Sequence, residues 1–420
     1  MQIAILLIFI LGYIAIALEH SINVNKAASA LLTGVLCWTV YSVNQPDSHI
    51  VTHELMEHLG EIAGILFFLL GAMTVVELID AHDGFQIVTD QIKTKKVKHL
   101  LWIIAIFTFF LSAILDNLTT TIVIVSLLRK IIGDREQRLF FTGITVIAAN
   151  AGGAWSPLGD VTTTMLWIGG QITPLNIISK LFLPSLFCLL VPVFIVSFRL
   201  KGNVQTPENE AVKLTTTAFE RSLVLGTGLG ILLFVPLFKS ITHLPPFMAM
   251  LLGLGFIWTI TELIHKGKSN EDKDFLTVTY ALRKVDTPSI LFFLGILISI
   301  SALQTSGQLA QAATWLTQNI GNDSVIVLAI GLLSALVDNV PLVAAVQGMY
   351  SLEQYPTDHF FWEFLAYATG TGGSVLIIGS AAGVAAMGME NIDFFWYFKR
   401  ISWLALLGYF TGALVYIVMN

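Results

Sequence analysis

Long, nearly charge-free apolar runs recur along the whole sequence, most of them roughly 17–23 residues, the length that crosses a hydrocarbon core ~30 Å thick as an α-helix. They fall at about 2–18, 26–43, 58–80, 138–169 and 175–198, then 220–238, 245–264, 287–303, 360–389 and 394–419. Such a chain has one workable fold, helices that satisfy their backbone polar groups internally and pack together in lipid. Composition agrees. Of 420 residues, 55% are hydrophobic and only 12% charged, with a mean hydropathy of +0.79, whereas a soluble domain carries about 25% charged residues. A water-soluble enzyme and a disordered chain are excluded, and an all-α polytopic membrane protein is expected.

Two further apolar stretches, 100–132 and 323–351, are each interrupted near the middle, by Asp116-Asn117 and Asp338-Asn339. Halves of about 13–16 residues fall short of the ~20 needed for a crossing. Both stretches read as re-entrant hairpins, because non-helical backbone at that depth survives only inside protein or beside a wet cavity. The runs 138–169 and 360–389 read as broken helices. Gly152-Gly153 and Pro157 interrupt the first, and Gly370 with Gly372-Gly373 the second, residues that release backbone carbonyls from a helix.

The chain also repeats itself. Leu111-Ser112-Ala113-Ile114-Leu115-Asp116-Asn117 returns as Leu333-Ser334-Ala335-Leu336-Val337-Asp338-Asn339, and Asn150-Ala151-Gly152-Gly153 with Gly159-Asp160 returns as Gly370-Thr371-Gly372-Gly373 with Gly379-Ser380. Each half holds five spans, one of them the broken helix, plus one hairpin. Five is odd, so the second half enters the membrane inverted, the plan of secondary transporters. The expected organisation is a first repeat over 1–198, with scaffold spans in 1–80, a surface helix at 84–98, the hairpin 100–132 and the broken helix 138–169. A cytoplasmic linker follows at 199–219. The second repeat covers 220–420, with an outer amphipathic helix over 306–320, the hairpin 323–351 and the broken helix 360–389.

Under this layout all but Lys180 and Lys239 of the 22 basic residues lie on one side. The positive-inside rule makes that side cytoplasmic and puts both termini outside, as expected of a multi-pass protein of a prokaryotic inner membrane. The first run has no basic residue before Lys26 and no small-residue cleavage site, so it reads as a permanent span. The net charge of −6 comes without a basic stripe, which argues against nucleic acid. Cys37 and Cys188 lie within apolar runs and read as small buried hydrophobes. Neither a His-Glu-x-x-His nor a phosphate-binding Gly-x-x-x-x-Gly-Lys occurs, which excludes ATP hydrolysis on this chain.

A carboxylate deep in the bilayer costs at least ~2.5 kcal/mol on insertion scales and is a functional candidate by default. Asp116, Asp160 and Asp338 qualify, each without an adjacent Lys or Arg in sequence, so a mobile cation is the expected partner. Asn117 and Asn339 add amide oxygens, and Asn150 opens the Gly-rich break. Hydroxyls fill in the shell: Ser112, Ser334, Thr162, Thr163, Thr371 and Ser374, with Thr119 and Thr164 nearby. The alternative for Asp-Asn is a helix cap, and for the serines and threonines a hydroxyl bonded back to its own helix. Only the first break carries an acid, so the expected site is asymmetric. The histidines, among them His53, His58, His82, His99 and His243, fall in loops or at span ends and read as solvated. Glu61, Glu77 and Asp80 read as ends of the third span, with an ion entrance or a pH-sensing role at Glu77 the alternative.

Ala17-Leu18-Glu19-His20, Asn25-Lys26-Ala27-Ala28 and Leu69-Leu70-Gly71-Ala72-Met73-Thr74-Val75-Val76-Glu77-Leu78-Ile79-Asp80-Ala81-His82, with the Asp-Asn and Gly-Gly elements, resemble the NhaD-type sodium/proton antiporters over nearly the whole chain. That family lies in the ion transporter superfamily, which implies two inverted repeats, re-entrant hairpins and broken helices, a homodimer, and elevator-like movement. It also implies Na⁺ or Li⁺ exchanged for H⁺ in the lipid bilayer, with no cofactor. From the residues' own chemistry the ion is expected at Asp116, Asn117, Asp160, Asp338 and Asn339, with Asp116 and Asp338 exchanging protons for it and Asp160 either joining them or tuning them. Dicarboxylate carriers of the superfamily carry Ser-Asn-Thr at each tip. Here the tips read Asp116-Asn117-Leu118-Thr119 and Asp338-Asn339-Val340-Pro341, and an acid there repels an anion. A sodium-coupled dicarboxylate carrier is the alternative function, and an intramembrane aspartyl protease a remote one.

Overall fold

The computed structural model describes residues 1–89, 94, 96–200, 202–204, 216–268 and 274–420. Apart from an isolated bridge between Lys96 and Asn203, the described chain is helical and turn. Its helices are α1 (Gln2–Ala17), α2 (Glu19–Ile22), α3 (Lys26–Val43), α4 (Ser48–Ala81), α5 (Gln86–Thr89), α6 (Val97–Leu115) and α7 (Asn117–Ile131). Then follow α8 (Arg135–Ala154), α9 (Val161–Ile168), α10 (Pro174–Arg199), α11 (Ala218–Thr242), α12 (Pro246–Ile264), α13 (Val278–Lys284) and α14 (Thr287–Thr305). The last are α15 (Gln308–Asn319), α16 (Asp323–Leu333), α17 (Asn339–Met349), α18 (Phe360–Gly372), α19 (Ala381–Glu390), α20 (Phe394–Tyr397) and α21 (Trp403–Met419). A single π-helical turn, Phe398–Ser402, joins the last two.

Eight described helices are long and apolar enough to cross a membrane. Large hydrophobics such as Leu32, Val35, Phe194, Phe198, Leu237, Phe256, Leu414 and Val418 are exposed along them. Apolar surface on that scale is excluded in water and normal against lipid. The protein is a polytopic membrane protein.

Most boundaries fall within a few residues of those read from the sequence, and the differences have causes. α4 begins at Ser48, ten residues before the apolar run, because Asp47 caps it and the polar turns around His53 and Glu57 prolong the helix beyond the hydrocarbon. α6 is 19 residues long, more than the half-span expected, because Val97–His99 add a turn below the apolar segment. The stretch 84–98 is not one surface helix. Only Gln86–Thr89 is helical before α6 begins, Asp83 takes a left-handed turn (φ 54°), and residues 90–93 and 95 lie outside the described set. Most of the linker 199–219 lies outside it as well, with Lys93, Lys95, Lys201, Lys213 and Lys273. α15 occupies the amphipathic stretch at 306–320.

The helices pack as two sets, each drawn from both halves of the chain. In one, α3 lies along α14 and α1, and α4 along α12, α14, α11 and α13. In the other, α6 packs on α8, α10 on α21, α16 on α18, and α7 on α19 and α8. The sets meet chiefly where α14 and α15 touch α17, with smaller contacts of α4 with α9 and of α11 with α6.

Two histidines depart from the solvated reading. His82, just past α4, and His265, just past α12, are almost fully buried. Their Nε2 atoms lie 2.9 Å apart, and His82 Nδ1 donates to the Leu78 carbonyl at 2.7 Å. Cys37 and Cys188 are buried and unpaired.

Candidate functional site

Four short helices begin at one place, and a side chain at each beginning sets the chemistry. Asp116 separates α6 from α7 with φ at +96°, a conformation rare for any residue but glycine. Its Oδ1 accepts from the Thr119 amide at 2.8 Å and its Oδ2 from the Thr119 hydroxyl at 2.8 Å. Asp160 begins α9, its Oδ1 accepting from both the amide and the hydroxyl of Thr162 at 2.8 Å. Asp338 begins α17, its Oδ1 accepting from the Val340 amide at 3.2 Å. Ser380 begins α19, accepting from the Gly383 amide at 3.2 Å. The capping role is therefore realised at every break, and the second carboxylate oxygens of Asp160 and Asp338 turn to other parts of the site.

Asp160 is the hub. Its Oδ2 accepts from the Asn117 amide at 2.6 Å and, more weakly, from the Asn339 amide at 3.3 Å, so both hairpin tips converge on it. The amides expected to offer oxygens to a cation instead turn their NH₂ groups to Asp160, because a buried carboxylate is stable only with donors around it. Asn150 extends the network. It accepts from Asn117 at 3.0 Å and donates to Ser374 and Ser380, each at 2.9 Å. Asp116 and Asp338 both line one narrow cavity of about 60 Å³, with Lys26, Asn117, Leu158, Val161, Thr164, Ser289 and Phe293. That is room for an ion with about one water. Each acid lies within electrostatic reach of Asp160.

The remaining expected residues divide. Ser112 donates to the Ala149 carbonyl at 2.6 Å and Ser334 to the Thr369 carbonyl at 3.0 Å, each tying a hairpin to the neighbouring broken helix. Thr163 donates to the Asp160 carbonyl at 2.9 Å and Thr371 to the Tyr367 carbonyl at 2.6 Å. These four hydroxyls serve the backbone around the acids. Among the described residues, no three His, Cys, Asp or Glu side chains gather into a metal chelate. The acids stand in a string about Asp160.

Two participants escape the sequence reading. Ser380 stands where the repeat has Asp160, and the repeat itself is the signal. Lys26, counted as a cytoplasmic topology charge, reaches Asp338 with its Nζ 3.8 Å from Oδ2, which overturns the expectation that all three acids lack a basic partner. Nothing in its sequence neighbourhood marks this.

A second cavity, of about 420 Å³, lies further along the same interface. α4 lines the two with 68–73 and 58–65, α14 with 289–293 and 297–304, and α9 with Val161 and Thr164 and then Met165 and Ile168. Only a few residues of each helix separate them.

Residues 6–372 match the citrate transporter family, CitMHS. "Sodium/proton antiporter 1" of Arabidopsis thaliana is 50% identical over 421 residues, covering 100% of this chain and 73% of that protein. "Na(+)/H(+) antiporter NhaD" of Vibrio cholerae is 31% identical over 450 residues, covering 99% of this chain and 91% of its own. The chain belongs to the NhaD-type sodium/proton antiporters. NhaD-type proteins are transporters, not enzymes, and this chain also matches the family model that carries the citrate description. Among solved structures, the YdaH transporter of Alcanivorax borkumensis superposes with a TM-score of 0.58 at 12% identity, covering 94% of this chain and 98% of that one. The NhaD-type chain thus shares the fold of that transporter.

Proposed function

We propose that the protein exchanges Na⁺ or Li⁺ for H⁺ at Asp116, Asp160 and Asp338, in two inverted repeats that expose the site to each side in turn. The observation that carries this reading is Asp160 held by the amides of both hairpin tips, with a second and a third acid on the adjoining cavity. A carboxylate kept from water sheds its charge by taking up either a proton or a cation. Protons and Na⁺ therefore compete for the same oxygens, and competition makes the exchange obligatory. Names of relatives in a plant and in bacteria support the same pair of ions.

The alternative, an anion carrier, is disfavoured by electrostatics. In transporters with broken helices, half-helix N-termini bind anionic substrates through their positive dipole ends. Here the starts of α7, α9 and α17 are already occupied by the chain's own carboxylates, and the cavity wall carries two acids against one lysine.

The two cavities in series support alternating access by movement of the hairpin-bearing helices against the other set, which in the proposed dimer stays fixed. The excess of basic residues orients the Lys26 end of α3 toward the cytoplasm. The test is purified protein in proteoliposomes with a pH-sensitive dye inside. Adding Na⁺ outside, with no organic anion present, alkalinises the lumen on this reading. A lumen that responds only when citrate accompanies the Na⁺ would establish the anion carrier instead.

A further inference from the structure

Lys26 is the one basic residue, among the described residues, on the wall of the acidic cavity. Its Nζ stands 3.8 Å from Asp338 Oδ2 and 4.5 Å from the centre of the Phe292 ring. The Lys26 and Asp338 side chains keep 25% and 19% exposure, so ions and water reach the pair. The backbone end of Lys26 is fixed, its amide donating to Glu19 at 3.1 Å while Asn25 caps the helix it begins. Tyr13 of α1 faces the same turn at Asp338. Lys26 and Asp338 belong to opposite helix sets, so their contact crosses the surface along which the two sets would slide.

We infer that Lys26 is the counter-ion of the unloaded site, pairing with Asp338 when neither a proton nor Na⁺ is bound. This rests on the exchange reading above and adds to it a device for coupling. The ammonium and Na⁺ carry like charges and compete for one carboxylate. With the site empty and ionised, attraction to Lys26 holds the hairpin against the other helix set. A proton or Na⁺ on Asp338 removes that attraction and frees the hairpin to move. The empty site is thereby kept from crossing alone, and each Na⁺ carried one way must be answered by protons the other way.

The test compares wild type, K26Q and K26R in proteoliposomes, recording the KM for Na⁺ and the protons moved per Na⁺. A second measurement is Na⁺ binding by the purified proteins, read as thermal stabilisation. K26Q should lower KM and the binding midpoint roughly two- to fivefold, the scale of a partly exposed ion pair, and should move fewer protons per Na⁺. K26R, which keeps the charge, should rescue both. Unchanged KM, binding and coupling in K26Q, or equal changes in K26Q and K26R, overturn the inference. If K26Q fails to transport, the binding midpoint decides. Wild type without Na⁺-driven proton movement overturns the exchange reading itself, whatever Lys26 does to binding.

Discussion

Asn117, at the tip of the first hairpin, donates its amide to the Asp160 carboxylate of a different helix over 2.6 Å. The bond joins two breaks in the chain that neither break needs for its own capping, so its purpose lies in the shared site. A hydrogen bond to a charged group contributes about 1.5–3 kcal/mol. Asn117→Ala should lower Na⁺/H⁺ exchange at least about tenfold. Asn339→Ala, whose bonds to Asp160 are 3.3 and 3.4 Å, should cost less. Initial rates of Na⁺ uptake into everted vesicles, at matched expression, give the comparison. Equal losses at the two positions would mean that Asp160 does not depend on the shorter bond.

Gly152 and Gly372 occupy matching places where a broken helix crosses a hairpin. A Cβ on Gly152 would run into the backbone of Phe109, and one on Gly372 into the backbone of Gly331. Backbone cannot turn aside as a side chain can, so Gly152→Ala or Gly372→Ala must push the hairpin away from the broken helix. Overpacking of this kind costs about 1–3 kcal/mol. Each variant should lower the melting temperature in detergent and depress exchange. Gly226→Ala, where a Cβ would meet open space, should do neither.

The helix breaks were readable because an apolar run tolerates so little. Asp-Asn, or Gly-Gly with Pro, interrupts such a run, and its recurrence in the second half marked the candidate site, although each acid also caps the helix it begins. Long-range partners were not readable. Lys26 and Asp338 are distant in sequence, and a lysine at the start of a span looks like any topology charge. His82 and His265 end different helices and meet only because α4 packs on α12. The direction of an amide is equally invisible: Asn117 and Asn339 serve Asp160 as donors because that buried acid needs them. The beginning of α4 was missed because polar residues continue the helix beyond its apolar part.

Glu390, at the end of α19, has a side chain only 2% exposed that accepts from Arg129 Nε at 2.7 Å and Arg138 Nε at 2.8 Å. It thus clamps the second broken helix to both sides of the α7–α8 turn. Glu390→Gln leaves two guanidinium groups without their acid. Since Arg129 is about half exposed and can turn to water, the loss should be about 1–3 kcal/mol, below that of a fully buried pair. Thermal unfolding in detergent should fall accordingly, and salt should narrow the gap between wild type and variant.

Burial holds the His82 imidazole below its usual range, while the Leu78 carbonyl, Glu220 and Asp83 pull it upward and Lys268 pulls it down. Its neutral form is thus favoured in the fold, and the unfolded chain binds the proton more readily. Stability from this group is complete above its ordinary value of 6.5 and is lost as the pH falls below it. Protonation would also set two N–H groups against each other across the 2.9 Å contact with His265. The wild-type melting temperature should therefore drop more than that of His82→Gln between pH 7.5 and 5.5. Parallel curves would place the pair outside the pH response.

The central claim is that protons and Na⁺ occupy the same carboxylates, and proton release on binding tests it most directly. Purified protein in weakly buffered detergent, near the pH where half its sites are protonated, receives NaCl while a pH electrode follows the solution. The wild type should release protons saturably with Na⁺, and Asp160→Asn and Asp338→Asn should release markedly fewer. No release from the wild type, or the same release from the variants, would contradict the account.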